Sequence, residues 1–325
     1  MFLDKQNLYP WHENVWQILT ERFPNIGHGL LFYGREGCGQ FEFTHHFVAW
    51  VLCLNRQPHA SCGHCASCQW LQANTHPNYI HIGLEGDHKK ANAKIKIEQI
   101  REILPFLQQT VDGWRIVVID PAESLNIAAS NALLKTLEEP NEKTLIILLA
   151  AHYLKLPATI RSRLQHFALD RLDSQQLNLF LAQKLPNLNA VQQQVLVNLA
   201  NQMPLQVLKL AEKEWVQLRA EFLLDWKKLV SQKNQPLTLS TKWSKTLSLN
   251  DFLCLFEYLL ADVIAYHLKQ PIKNIDLNLD EISGEYSLEN LFDFYAQLQK
   301  IKQMSEQNVQ SNLMLDQLFM QLMKI

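Results

Sequence analysis

Residues 34 to 43, "GREGCGQFEF", carry glycines at the spacing of a phosphate-binding loop. Such a loop reads G-x-x-x-x-G-K-[ST]: backbone N–H groups cradle phosphate, the Lys reaches the outer phosphates and the hydroxyl holds Mg²⁺. Gly34 and Gly39 keep that spacing with Gly37 between them, yet Gln40 and Phe41 stand where the Lys and the hydroxyl belong. Gln40 removes a cation whose charge-assisted hydrogen bonds are worth roughly 1.5–3 kcal/mol each. Phe41 cannot coordinate a metal and brings bulk to the Mg²⁺ position. "RIVVID" ends an apolar run on Asp120, where such folds place a carboxylate that helps hold Mg²⁺. Pro121 follows where an active ATPase commonly carries an acid, and Glu123 could substitute only with a different geometry. Asp120 is therefore a metal holder or a turn-capping aspartate. The loop's fold is expected to survive, and its chemistry to be lost.

Four of the six cysteines fall in one window: Cys53, then eight residues, then "CGHCASC" with Cys62, Cys65 and Cys68. Two overlapping C-x-x-C steps and one preceding thiolate supply four soft ligands, the set that suits tetrahedral Zn²⁺. A reducing compartment disfavours disulfides, and redox chemistry does not need four thiols. Four protein ligands leave no open coordination position, so zinc here is structural. His59 and His64 lie near enough to replace a Cys, but the four sulfurs need neither. Cys38 and Cys254 read as ordinary buried residues.

These groups need elements to hold them. "HGLLFYG", "WRIVVID" and "TLIILLA" are short apolar runs of the kind that form buried parallel strands. Between them "SLNIAASNALLKTLEEP" has helical spacing, with Ser124 available as a cap and Pro140 as a stop. Strands alternating with helices predict an α/β layer with a mostly parallel sheet. Beyond about Asp170 helical patterns take over, one starting at Asp173 or Ser174 and the last carrying Leu315, Leu318, Phe319 and Leu322 as a core or partner-facing stripe. The expected domains are 1–169, with the zinc module at 53–68, then 170–210 and 211–325.

The chain has 325 residues, 47% hydrophobic and 19% charged, which predicts a soluble protein of several domains. The N-terminus shows no signal-peptide pattern and no run reaches membrane-spanning length, so a cytoplasmic location is expected. Thirty Lys and Arg against 32 Asp and Glu argue against gripping nucleic acid by overall charge. The nearest basic cluster, Lys89, Lys90, Lys94 and Lys96, reads as a solvated loop or a phosphate contact.

Taken in order, "HGLLFYG", the glycine loop, the cysteine module, "ASNALLKTLEEP" and "LPATIRSRL" resemble the clamp-loader ATPases of the AAA+ class. The resemblance implies an AAA+ domain with an inserted zinc module, a small helical lid and an all-helical collar, in a heteropentamer with ATP between neighbouring subunits. Implied partners are the motor (gamma or tau) subunits, a delta subunit, the sliding clamp and primed DNA. Each ATP site in that family needs an arginine from the next subunit in a Ser-Arg-Cys motif, which Ser162 and Arg163 match and Leu164 ends differently. Arg163 is then a finger acting in trans, against a solvated or intradomain-paired arginine, with Arg161 as competitor. Ala150 and Ala151 fall where active relatives carry phosphate-sensing threonines, and Pro204 where the lid carries a sensing arginine. Productive ATP binding by this chain is not expected. The competing readings are an active motor of the same fold, and a zinc-dependent nucleic-acid adaptor, for which "CGHCASCQW" lacks any Lys or Arg.

Overall fold

The three apolar runs become the central strands of a five-stranded sheet in the computed structural model, which describes residues 8–84, 93–109, 112–232, 235–305 and 311–323. The strands are β1 (Gly29–Tyr33), β2 (Tyr79–Ile82), β3 (Arg115–Ile119), β4 (Thr144–Ala150) and β5 (Gln165–Ala168). Their order is β2-β3-β4-β1-β5 and every pairing is parallel, with Gly29 beside Ile146 and Arg115 beside Thr144. Parallel strands covered on both faces need no polar alternation, and β3 and β4 are buried at every position. The edge strands β2 and β5 are only partly covered, which is why their sequences "YIHI" and "QHFA" carry no comparable apolar run.

Helices α1 (Glu13–Arg22), α2 (Gln40–Leu52), α3 (Ala66–Gln72), α4 (Ile97–Gln108), α5 (Ile127–Glu138) and α6 (Ala158–Arg161) accompany the sheet, and α7 (Ser174–Lys184) follows β5 in sequence. Alternate strand residues point to opposite faces. Leu31, Val117 and Ile146 join Ile100 and Ile103 of α4 and Leu133 and Leu137 of α5 in one core layer. Phe32 faces the other way, its ring 5.2 Å from Phe43 and 6.1 Å from Phe47 of α2.

Helix α5 starts later than its sequence suggests. Ser124 lies in a 3₁₀ turn and Asn126 is the cap, its Oδ1 accepting the Ala129 N–H at 2.7 Å. The reason is a local backbone pairing: Ile95 N–H donates to Ser124 O and Asn126 N–H to Ile95 O, at 2.9 and 3.1 Å. The chain must run extended through Leu125 before a helix can begin. Asp173 does cap α7, accepting the Gln175 N–H at 3.3 Å.

The chain divides into two units, one ending at Asn178 and the next running on from Leu179. Among its described residues the second unit's regular elements are all helices: α8 (Ala190–Leu199), α9 (Pro204–Glu212), α10 (Trp215–Gln232), α11 (Pro236–Thr246), α12 (Leu249–His267), α13 (Asp280–Gly284), α14 (Leu288–Ser305) and α15 (Ser311–Leu322). The Leu315, Leu318, Phe319 and Leu322 stripe is core, each no more than 1% exposed, with Phe319 5.6 Å from Phe252. Buried Arg219 is matched by Asp276 and Asn274, and Trp226 Nε1 donates to the Tyr286 hydroxyl at 2.8 Å. Pro204 opens α9, a position where its missing N–H costs nothing. Cys254 is half-exposed rather than buried, whereas Cys38 is fully buried. Lys94 and Lys96 are exposed and Lys89 and Lys90 lie outside the described residues. Among the described residues no helix is long and apolar enough to cross a membrane.

Candidate functional site

Because all five strands run parallel, the glycine loop after β1 and the segments after β3 and β4 meet at the same edge of the sheet, where open α/β folds bind ligands. The loop is filled by its own chain. The Gln40 amide donates to the Gly34 carbonyl and reaches the Ala150 carbonyl at 3.5 Å. Where a Lys would project toward phosphate, Gln40 folds back and ties the loop to the end of β4. A Cβ on Gly34 would come within 2.9 Å of Cys38 Sγ and 3.0 Å of Asp170 Cβ. Gly39 has φ +89° and its Cα faces the Tyr9 ring, 2.9 Å from where a Cβ would stand, so only glycine suits both demands. Gly37 is also left-handed, at φ +88°. Trp11 Nε1 donates to Cys38 O at 2.8 Å, and Arg35 pairs with Asp170 at 3.1 Å. Phe41 is 44% exposed, its ring 4.6 Å from that of His45.

Burial, with the nearby Glu123 and Glu42 charges, pushes Asp120 up to about 6. Glu123 Oε1 accepts the Ala151 and His152 N–H groups, each at 3.1 Å. Glu123 therefore uses one oxygen on the donors just beyond β4, while its Oε2 is buried without a hydrogen-bond partner. Burial, with His81 beside it, lowers His45 to about 4, leaving it neutral at pH 7. The ionisation of Asp120 has a stability consequence. Between about pH 4 and pH 6 the folded chain holds a proton that the unfolded chain has released, so stability falls as pH rises through that window. Asp120→Asn is expected to stabilise the protein by on the order of 2 kcal/mol at pH 7, with the gain fading toward pH 4. Urea denaturation across that range checks it, and a pH-independent difference would contradict the assignment.

Ser162 and Arg163 lie in the turn between α6 and β5. Arg163 Nε donates to Glu138 Oε1 at 2.7 Å, and Nη2 contacts the same oxygen. Nη1 donates to Thr159 O at 2.8 Å and Ser162 Oγ at 3.4 Å. The Arg163 side chain is 33% exposed and that of Glu138 48%. A pair this exposed is worth about 0–1 kcal/mol, too little to withhold the arginine from a stronger anion. Arg161 instead donates from Nε to its own Leu156 O at 3.2 Å, and Leu164 is buried in the core layer. Glu138 was not singled out by the sequence, because two adjacent glutamates at a helix end read as solvated charge.

The four cysteine sulfurs lie within 4.8 Å of one another. A tetrahedral zinc with Zn–S near 2.3 Å has sulfur edges of about 3.8 Å, so the donor set fits, and Cys53 and Cys65 Sγ are 4.0 Å apart. That separation is far from a disulfide's, about 2.05 Å. Backbone N–H groups already serve the sulfurs: Cys62 N–H donates to Cys53 Sγ at 3.2 Å and Cys65 N–H to Cys62 Sγ at 3.4 Å. For Cys65 burial is outweighed by hydrogen bonds from backbone and neighbouring thiols, which bring it down to about 6; burial pushes Cys68 up to about 12. His46 Nε2 donates to His59 O and His64 Nδ1 to Cys62 O, and among the described residues the group that could hold a metal consists of the four cysteines, with neither His59 nor His64 in it. The module is held to α2 by a network absent from the sequence reading. Ser67 Oγ donates to Leu52 O at 2.7 Å and lies 2.8 Å from His76 Nε2, while His76 Nδ1 accepts the Asn78 N–H at 3.0 Å. His76 is missed because its partners are set by the fold of the loop, not by spacing.

Comparison with known proteins adds three relatives and one family. The family described as DNA polymerase III, delta subunit, matches residues 11–173. Over 97% of both chains the protein is 29% identical to DNA polymerase III subunit delta' of Pseudomonas aeruginosa. It is 35% identical to subunit delta' of Escherichia coli strain K12 over 48% of this chain and 46% of that one. It is also 34% identical to subunit tau of Bacillus subtilis strain 168, over 49% of this chain and 27% of the relative.

Proposed function

The chain belongs to the delta-prime family of the bacterial DNA polymerase III clamp loader, and from that membership we propose that it is a non-catalytic subunit that completes a neighbour's ATP site. In this reading residues 1–169 are the AAA+ domain, 170–210 the lid and 211–325 the collar through which the pentamer assembles in the cytoplasm. Arg163 is offered in trans to a gamma or tau motor, with Ser162 beside it, and the assembled ring with its delta subunit loads the sliding clamp onto primed DNA.

The observation that carries the reading is the contrast between two sites on one domain. The chain's own loop is occupied by Gln40 on the Gly34 and Ala150 carbonyls, and burial with the nearby Glu123 and Glu42 charges pushes Asp120 up. Arg163 sits outside that crevice, partly exposed, held by an exposed pair with Glu138 and by hydrogen bonds to Thr159 O and Ser162 Oγ. Neutral Gln40 fills the position of the phosphate-binding Lys, whereas Arg163 can exchange its exposed Glu138 partner for another anion. The experiment is Mg-ATP binding and hydrolysis by the purified chain alone. No turnover and no tight binding are expected; turnover abolished by substitution in the glycine loop would make the chain an active motor instead.

A further inference from the structure

A second cavity lies at the opposite edge of the sheet. Trp114 and Lys143 immediately precede β3 and β4, at the ends of those strands away from the glycine loop. Together with Thr20, Phe23, Trp50 and Arg56 they line a pocket of about 580 Å³, within the range of small-ligand sites. Its wall is aromatic: the Phe23 ring lies 5.3 Å from that of Trp50 at 76°, and 4.8 Å from that of Trp114 at 44°. Trp50 is fixed by its Nε1, which donates to Gln57 O at 2.7 Å.

Two cations sit on this wall without carboxylate partners among the described residues. The Arg56 guanidinium is 4.8 Å from the Phe23 centroid and 5.0 Å from that of Trp50. Such contacts use the face of the group and leave its N–H edge able to bind an anion. Lys143 is exposed and sits at φ +53°, a conformation that costs a Lys about 1–2 kcal/mol and glycine almost nothing. Its carbonyl accepts the Arg115 N–H at 2.8 Å, which fixes that turn at the sheet edge. By contrast Arg35, Arg163 and Arg219 are paired with Asp170, Glu138 and Asp276.

We propose that this pocket binds one nucleotide unit, its base stacked on the aromatic wall and its phosphate paired with Arg56 and Lys143. Base stacking on an aromatic side chain contributes about 1–3 kcal/mol and tolerates any base, and two cations match one phosphate. A protein of the DNA polymerase III family meets such units in single strands. The unit could also be a free mononucleotide, and the proposal is independent of the role of Arg163.

The test uses the full chain and a fluorescein-labelled oligothymidine at low salt, read by fluorescence anisotropy, with thymidine monophosphate as competitor. Binding is expected to weaken about fivefold or more in each of Arg56→Gln and Lys143→Gly. Lys143→Gly removes the left-handed strain, so an unchanged or higher urea midpoint separates lost binding from lost folding. Competition by the monophosphate assigns the site to the free unit, and its failure to compete assigns it to the unit within a strand; both support the proposal. Absent binding, equal binding by both variants, or stronger displacement of the label by an acidic, aromatic peptide would overturn it.

Discussion

Arg163→Ala is expected to reduce ATP turnover at the motor site it completes by about 10³–10⁵-fold, the range of arginine fingers in related phosphoryl transfer. The substitution removes a pair whose contribution to stability is about 0–1 kcal/mol, so the chain should still fold and assemble. The measurement is the ATPase rate of motor subunits reconstituted with either form of this chain, alongside a native-mass check that the complex is intact. Two controls sharpen it. Glu138→Gln frees the guanidinium without removing it, and the rate should stay within a few-fold of the unaltered complex. Arg161→Ala loses the bond to Leu156 O and should act on folding before it acts on rate. An intact complex with Arg163→Ala and an unchanged rate would remove the finger from this position, and the Glu138 pair would then be its whole purpose.

Much of this was legible before any coordinates, and the boundary of legibility is physical. The central strands announce themselves because a strand covered on both faces must be apolar throughout, as Ile116, Val117 and Val118 are. The edge strands, half wet, carry no such run. The four cysteines were readable from spacing because tetrahedral coordination demands a short, fixed geometry. Ser67 and His76 were not, since a hydrogen bond between a helix and a loop nine residues on leaves no periodic trace. In the same way Gln40 could be read as a missing cation, but not as a side chain turned back onto the Gly34 carbonyl. Asn126 displaced Ser124 as the cap because Ile95, some thirty positions away, pairs with the intervening backbone. Local propensity yields there to a contact that only the folded chain makes.

Removing the metal from the cysteine module should cost more than any single contact in the first unit. Without a cation, four sulfurs within 4.8 Å cannot all ionise; Cys65 releases its proton near 6 while Cys68 is held near 12. A divalent ion that brings all four to thiolate displaces the remaining protons, so its apparent affinity should rise steeply with pH. Besides the sulfurs, the loop between Cys53 and Cys68 is held by a few hydrogen bonds and one stacked cation: the Cys62 and Cys65 N–H contacts, Trp50 to Gln57 O, His46 to His59 O, Arg56 on Phe23 and Trp50, and the Ser67 anchor at its end. Loss of the metal therefore releases a loop closed much as a disulfide would close it, and about 2–5 kcal/mol is the corresponding loss. Protein purified without added metal should contain one zinc per chain. Treatment with a strong chelator, or Cys62→Ser, should lower the urea midpoint by that amount, and zinc should restore it only in the chelated form. The same treatments should leave Asp120→Asn as stabilising as before, since that carboxylate follows β3 and is raised by burial, Glu123 and Glu42, none of them part of the cysteine module. Protein that holds no zinc and has a chelator-insensitive midpoint would leave the four sulfurs as reduced thiols packed by the fold alone.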